Sequence, residues 1–342
     1  MKIVVDINHP AHVHALKNFV WEMEKRGHEM LITASKKEMT FELLENYDFD
    51  YVNLGSYGNN LLQKLVNIPI LDLKMYKEVR GFKPEVFVGL GSIRAAHTSF
   101  LLHKKCILLE DTEHSTEQIK LYLPFADAVL TPGCFRGNLG KKQVRYNGYH
   151  ELAYLHPNYF TPDPEILKEL GLKEDSVFSV LRFVSWGASH DVGHHGIQNK
   201  IEFVKELEKY GRVLITSEGR LDEVLEQYRI KVSPEKLHHL LYYASLYVGD
   251  GGTTAVESAI LGTPSIYVST LVGTMGNFIE LEEKYGLLLN YSDSNKAIEK
   301  AIELIQSPNI KECWKEKREM LLRDKVDVTS FIVRFVEDYL TN

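Results

Sequence analysis

Short apolar runs rich in β-branched residues alternate along this chain with stretches whose apolar positions recur every three or four residues. Residues 3–7 read as a buried strand. Leu16, Phe19, Val20 and Met23 then repeat at helical spacing until Arg26-Gly27 closes the helix. Residues 30–33 predict a second strand, 38–47 a helix and 51–54 a third strand. Further strands are predicted at 86–88, 106–109 and 128–130. Strands that alternate with helices imply a parallel sheet covered on both faces. The apolar stretch Leu61-Leu62, Leu65-Val66 and Ile68-Pro69-Ile70 is read as core, the alternative being a surface that meets a lipid-linked acceptor.

The alternation lapses around residues 155–164, where Pro157, Pro162 and Pro164 mark a linker. It then restarts, with strands predicted at 177–181, 212–216, 246–248 and 265–268. From about residue 297 to residue 340 the pattern is of consecutive helices. The reading is an α/β chain of two Rossmann-like, doubly wound parallel-sheet domains, the first over residues 1–155 and the second over 160–325.

Composition narrows the class. A chain of 342 residues exceeds what one hydrophobic core usually serves. Its 44% hydrophobic and 25% charged content is that of a globular protein. The net charge of -7, with no cluster of Lys and Arg beyond short pairs, argues against a nucleic-acid partner. Cys106, Cys134 and Cys313 are far apart, so neither a disulfide framework nor a zinc ribbon is indicated. Asp6 interrupts the first apolar run, which therefore does not read as a secretory leader. No apolar run reaches the ~18 residues of a membrane span. The expected location is the cytoplasm, with peripheral contact at the inner face of the membrane as a variant.

Two loops carry candidate chemistry. Where the first strand meets the first helix, Asn8-His9-Pro10-Ala11-His12-Val13-His14 brings three histidines together. A histidine there is suited to act as a general base near neutral pH; capping or packing of the helix is the plainer role. The spacing of His12 and His14 also fits a metal site, for which His190 and Asp191 are the nearest further ligands in kind. The second loop, Gly249-Asp250-Gly251-Gly252-Thr253-Thr254, joins a strand to a helix. Glycines let a phosphate approach the backbone, and the helix N-terminus favours an anion. Glu257 lies about one turn on, placed to accept hydrogen bonds from ribose hydroxyls. The segment is neither a Walker A loop nor Gly-x-Gly-x-x-Gly.

With these features in order, the chain resembles the GT-B superfamily, which includes glycosyltransferases and non-hydrolysing UDP-N-acetylglucosamine 2-epimerases. The resemblance rests on His12-Val13 with the helix ending Lys25-Arg26-Gly27-His28-Glu29, and on Lys83-Pro84-Glu85-Val86 leading to Gly89-Leu90-Gly91-Ser92. It continues through Ala126-Asp127-Ala128-Val129, then from Leu240 through Gly251-Gly252-Thr253 and Glu257 to Gly262-Thr263-Pro264, and Gly276-Asn277-Phe278. It implies domains facing a central cleft and a last helix, 327–342, that packs back on the first domain. It also implies a donor site of Arg182, Ser217, Gly251, Gly252, Thr253, Thr254, Glu257 and Asn277. Asn8, His9, His14 and Ser92 would lie on the acceptor side, with His12, Glu110 and His190 catalytic.

Two departures limit what carries over. The glycine-rich first loop of the cell-wall transferases is replaced by Asn8-His9-Pro10-Ala11, and the acidic residue that epimerases carry near Gly91-Ser92 is missing. Glu110 and Glu117 fall roughly where their other carboxylates sit. The resemblance thus points to a GT-B-like family catalogued as a domain of unknown function. The expected activity is transfer of a sugar from a nucleotide sugar, UDP-linked, to a sugar or lipid-linked acceptor, without cofactor or metal. The alternatives are 2-epimerisation, metal-dependent hydrolysis at His12 and His14, and binding of a sugar nucleotide without catalysis.

Overall fold

The computed structural model describes residues 1–58, 61–184, 195–217 and 219–341. In chain order the elements are β1 (Lys2–Ile7), α1 (Pro10–Lys25), β2 (Glu29–Ser35), α2 (Thr40–Asn46), β3 (Tyr51–Gly55), α3 (Leu61–Val79), β4 (Val86–Leu90), α4 (Ile93–Leu101), β5 (Lys105–Leu109), α5 (Thr116–Tyr122), β6 (Ala128–Pro132), β7 (Gln143–Tyr146) and α6 (Leu152–Leu155). They continue with α7 (Glu165–Glu169), β8 (Phe178–Phe183), α8 (Lys200–Glu208), β9 (Arg212–Ser217), α9 (Leu237–Tyr243), β10 (Leu246–Gly249), α10 (Gly252–Leu261), β11 (Ser265–Val268), α11 (Gly276–Glu283), β12 (Leu288–Tyr291), α12 (Ser294–Gln306), α13 (Ile310–Asp324) and α14 (Val328–Thr341). Two compact units result: Met1–Tyr159 with Lys325–Asn342, and Phe160–Asp324.

Unit 1 is built on a seven-stranded sheet in the order β3-β2-β1-β4-β5-β6-β7, parallel throughout. The interior strand β1, paired with β2 and β4, is buried on both faces, which is why residues 3–5 are an unbroken apolar run. α1 turns Val13, Leu16, Phe19, Val20 and Met23 inward, the stripe its spacing predicts. The last helix, α14, packs on α1 and α6. Thr329 donates to the Ala153 carbonyl at 2.8 Å, and Ile332, Val333 and Val336 are buried.

α3 corrects the reading of its segment as core at Val66 and Ile70; the side chains of Leu61, Leu62 and Leu65 lie outside the described residues. Leu71, Met75 and Val79 face inward, but Val66, Ile70 and Leu73 are more than half exposed. A helix of 3.6 residues per turn cannot bury both stripes against one sheet. Among the described residues no helix is long and apolar enough to cross a membrane.

Unit 2 carries a five-stranded parallel sheet in the order β12-β11-β10-β8-β9. β7 and β12, absent from the strands predicted above, are four-residue edge strands with polar residues among them. α13 closes the unit: Trp314 donates to the Leu287 carbonyl at 3.0 Å, and Arg318 to that of Ile260 at 2.9 Å.

Candidate functional site

In an open parallel sheet, ligands lie beyond the carboxyl ends of the strands where the strand order reverses. In unit 2 that place is between β8 and β10, where Arg182 and Gly249 are register partners. The chain leaves β10 through Asp250 and enters α10 at Gly251, an N-cap that has no side chain of its own to close the helix end. The first N–H groups of a helix have no intrahelical acceptor, so this end favours an anion. A Cβ on Gly251 would lie 3.1 Å from Val184 Cγ1 and 3.4 Å from Arg182 Nε. The arginine therefore runs beside the loop, and the tighter neighbour of the glycine is Val184.

The loop is held from below. The Tyr247 hydroxyl donates to the Gly251 carbonyl at 3.3 Å, and the Asp250 carboxylate accepts the Val184 N–H at 2.8 Å, tying the exits of β8 and β10 together. Thr253 is exposed, whereas Thr254 is buried. Glu257 is buried one turn into the helix, with Oε1 2.9 Å from His238 Nε2. α11 starts beside α10: Phe278 Cζ is 3.2 Å from the place a Cβ on Gly252 would take. Asn277 is buried there and accepts the Phe278 N–H at 3.0 Å.

Ser217, at the end of β9, spends its hydroxyl on its own turn, exchanging hydrogen bonds with the Gly219 N–H and carbonyl at 3.3 Å. His190 lies outside the described residues, as do Asp191 and the loop around them.

In unit 1 the strand order reverses between β1 and β4, and the groups there divide into scaffold and reactive sets. Asp6 and Arg94, both fully buried, form an ion pair at 2.7 Å. Burial by itself would raise the Asp6 pKa, but Arg94, Ser92 and Thr33 outweigh it and hold the carboxyl below its ordinary value. Ser92 donates to Asp6 at 2.5 Å and caps α4 by accepting the Ala95 N–H. Asn8 donates to Asp6 at 2.8 Å and accepts from Ser35 at 3.4 Å. His9 is the N-cap of α1, accepting the Ala11 N–H at 3.2 Å. His14 is buried, stacked on Tyr154 at 5.4 Å between centroids and 3.3 Å from the Tyr47 hydroxyl. All four residues assigned to an acceptor thus also carry scaffold contacts.

His12, the expected base, is held by the backbone at the start of α1. Its Nδ1 accepts the Asn8 N–H at 3.4 Å, which leaves the ring proton of the neutral imidazole on Nε2. Burial, then the Lys37 charge, lowers its pKa to about 4. At neutral pH it is an uncharged donor through Nε2.

Glu110 ends β5, buried, and accepts the Asp111 and Thr112 N–H groups at 3.1 and 3.0 Å and the Tyr122 hydroxyl at 2.8 Å. Burial, then the neighbouring Asp111 charge, raises its pKa to about 7 against those bonds. Glu117 is exposed on α5 and bonded to Thr116, apart from this group.

His150, which the sequence did not single out, is 3.0 Å from the Asp111 carboxylate. Burial opposes its protonation, but Asp111 prevails and raises its pKa. His150 Nε2 and the Tyr146 hydroxyl, on rings stacked 6.2 Å apart, have no hydrogen-bond partner among the described residues. The only sequence signal was the Gly148-Tyr149-His150-Glu151 turn, which follows the unpredicted strand β7. No three His, Cys, Asp or Glu side chains gather as a metal site among the described residues.

Comparison with known proteins follows the same lines. A family described as "Protein of unknown function (DUF354)" matches residues 1–341. An uncharacterized protein of Methanocaldococcus jannaschii is 28% identical over 315 residues, covering 86% of this chain and 92% of its own. Among solved structures, the S. aureus MnaA-UDP complex matches with a TM-score of 0.71 at 12% identity, over 99% of this chain and 97% of that one. The UDP-GlcNAc 2-epimerase of Neisseria meningitidis bound to UDP-GlcNAc matches with a TM-score of 0.64 at 15% identity, over 100% of both chains. The spinosyn forosaminyltransferase SpnP matches with a TM-score of 0.65 at 12% identity, also over 100% of both. At such identities the likeness establishes the fold: two Rossmann-like domains of the GT-B kind.

Proposed function

The chain belongs to the DUF354 family, and from that membership and its fold we propose that it is a nucleotide-sugar enzyme, transferring the sugar to an acceptor hydroxyl. The observation that carries the reading is the glycine-capped N-terminus of α10 beside Arg182, with the buried carboxylate of Glu257 one turn on. Backbone N–H groups, the helix dipole and a guanidinium together suit a diphosphate. A carboxylate within the same helix suits the hydroxyls of the attached ribose. Two of the solved structures of like fold carry UDP or UDP-GlcNAc, and a third is a sugar transferase by name, which supports the same substrate class here.

On this reading the departing diphosphate is stabilised where its charge develops, by amides already aimed at it. The acceptor hydroxyl must lose a proton. Glu110, half-ionised near neutral pH, is the group in unit 1 suited to take it. His12 Nε2–H serves as a donor to a substrate oxygen. A second reading, 2-epimerisation, is favoured by Glu110 itself, because a carboxyl poised near neutrality also suits moving a proton at a sugar carbon.

Calorimetric titration of the wild type and Glu257→Ala with UDP, GDP and UDP-N-acetylglucosamine tests the site. The substitution is expected to weaken binding by about 1–3 kcal/mol, a lost hydrogen bond to a charged group. Absence of any nucleotide binding at millimolar concentration would sink the reading. Incubation with the nucleotide sugar and no acceptor then separates the reactions: an epimer supports the second, an unchanged sugar the first.

A further inference from the structure

Glu257 does not stand alone. His238 Nε2 is 2.9 Å from its Oε1, and both side chains are buried, at 4 and 5% exposure. The pair joins α9 to α10, two helices packed on each other. His238 is itself set by its surroundings, edge-on to the Phe160 ring at 6.5 Å and an interplanar angle of 90°. A second tie fixes α9 against the far end of α10, where Thr263 donates to the Leu241 carbonyl at 2.7 Å.

A carboxylate that recognises a diol must present its oxygens in one plane and at one height, since each hydroxyl has its own direction. Rotation about the last torsion of a glutamate is otherwise broad. A donor fixed at Oε1 removes that freedom, and a buried donor does so without competition from water.

We propose that His238 is a positioning residue that orients the Glu257 carboxylate toward a ribose diol, and so restricts this protein to ribonucleotide donors over 2′-deoxyribonucleotide ones. The inference rests on the reading of unit 2 as a nucleotide-sugar site and adds its sugar selectivity. His238 makes no contact with the nucleotide on this account; it acts through Glu257.

The experiment compares UDP with 2′-deoxy-UDP by calorimetry on the full chain, for the wild type, His238→Gln, His238→Leu and His238→Asn. The wild type is expected to bind UDP about tenfold to a hundredfold more tightly than the deoxy form, as for a hydrogen bond to a charged group. Gln places an amide N–H near the position of Nε2 and is expected to keep most of that ratio. Leu, which donates nothing, is expected to bring the ratio close to one while binding of inorganic pyrophosphate stays unchanged. Asn, whose amide is too short to reach Glu257, gives the same answer should the Leu variant fail to fold.

A ratio that survives in a folded Leu or Asn variant overturns the inference, as does a wild type that binds both nucleotides equally. The latter leaves the nucleotide site standing. A wild type that binds neither overturns both, so the two failures are distinguishable.

Discussion

Glu110 offers a measurement that needs no substrate. Its carboxyl is buried at the end of β5, and its pKa moves from 4.5 to about 7. Each tenfold change in proton affinity is worth about 1.4 kcal/mol. Ionised Glu110 therefore costs roughly 3 kcal/mol of folding free energy above neutral pH, an upper figure because hydration of the opened site relieves part of it. The sign follows from the protons held: between about pH 4.5 and 7 folded unit 1 keeps a proton that the unfolded chain releases, so stability falls as pH rises through that window. Glu110→Gln preserves the shape, can still accept the Asp111 and Thr112 N–H groups, and cannot ionise. The variant is expected to lose the falling limb and to gain on the wild type by about 2–3 kcal/mol between about pH 5 and pH 8. Because two units need not unfold together, the assay should be hydrogen exchange read in peptides of β1, β4 and β5. A difference between wild type and variant that stays constant across that range would refute the claim that Glu110 is a poised acid.

Further outcomes are expected elsewhere in the chain. Arg94→Leu, which strands the buried Asp6 carboxylate, should destabilise unit 1 by about 3–5 kcal/mol in urea unfolding, and adding Asp6→Asn should recover a good part; equal losses from the single and double variants would contradict this. His97 lies 2.7 Å from Asp72 and 3.1 Å from the Leu121 carbonyl, two acceptors that the protonated ring can satisfy together. The bond to Asp72 raises the His97 pKa, and its stabilising contribution should be complete below the unfolded value of 6.5 and lost as pH rises through the folded one. Proton NMR titration of the His97 ring checks it, and a midpoint at or below 6.5 would count against the clasp between α3, α4 and α5. Arg182→Ala should leave the fold intact yet weaken UDP about tenfold through the loss of a charged hydrogen bond; unchanged affinity in calorimetry would separate Arg182 from the phosphates.

The elements that were legible are those whose cause is local. Buried central strands such as β1 and β5 are apolar on both faces, so they appear in the sequence as runs. The loop entering α10 was visible because a strand end, two glycines and a helix start are consecutive residues. The edge strands β7 and β12 escaped because a half-exposed strand of four residues has no run to show. Side-chain partnerships were the least legible: Arg94 meets Asp6 across 88 residues and His238 meets Glu257 across 19. Neither separation has a periodicity to read. The backbone contact of His12 was illegible for a finer reason, since a sequence locates an imidazole but not which of its nitrogens the backbone occupies.

The return of α14 to unit 1 bears on how the protein is made. Unit 2 is complete once Asp324 has emerged, whereas unit 1 still lacks the helix that covers α1 and α6. The half that is synthesised first is therefore the half that closes last. Until then α1 and α6 present to solvent the surface that Ile332, Val333 and Val336 will bury, and such exposed apolar faces are where nascent chains meet chaperones or one another. A chain that has emerged as far as Asp324 and no further holds a finished second unit and an open first one.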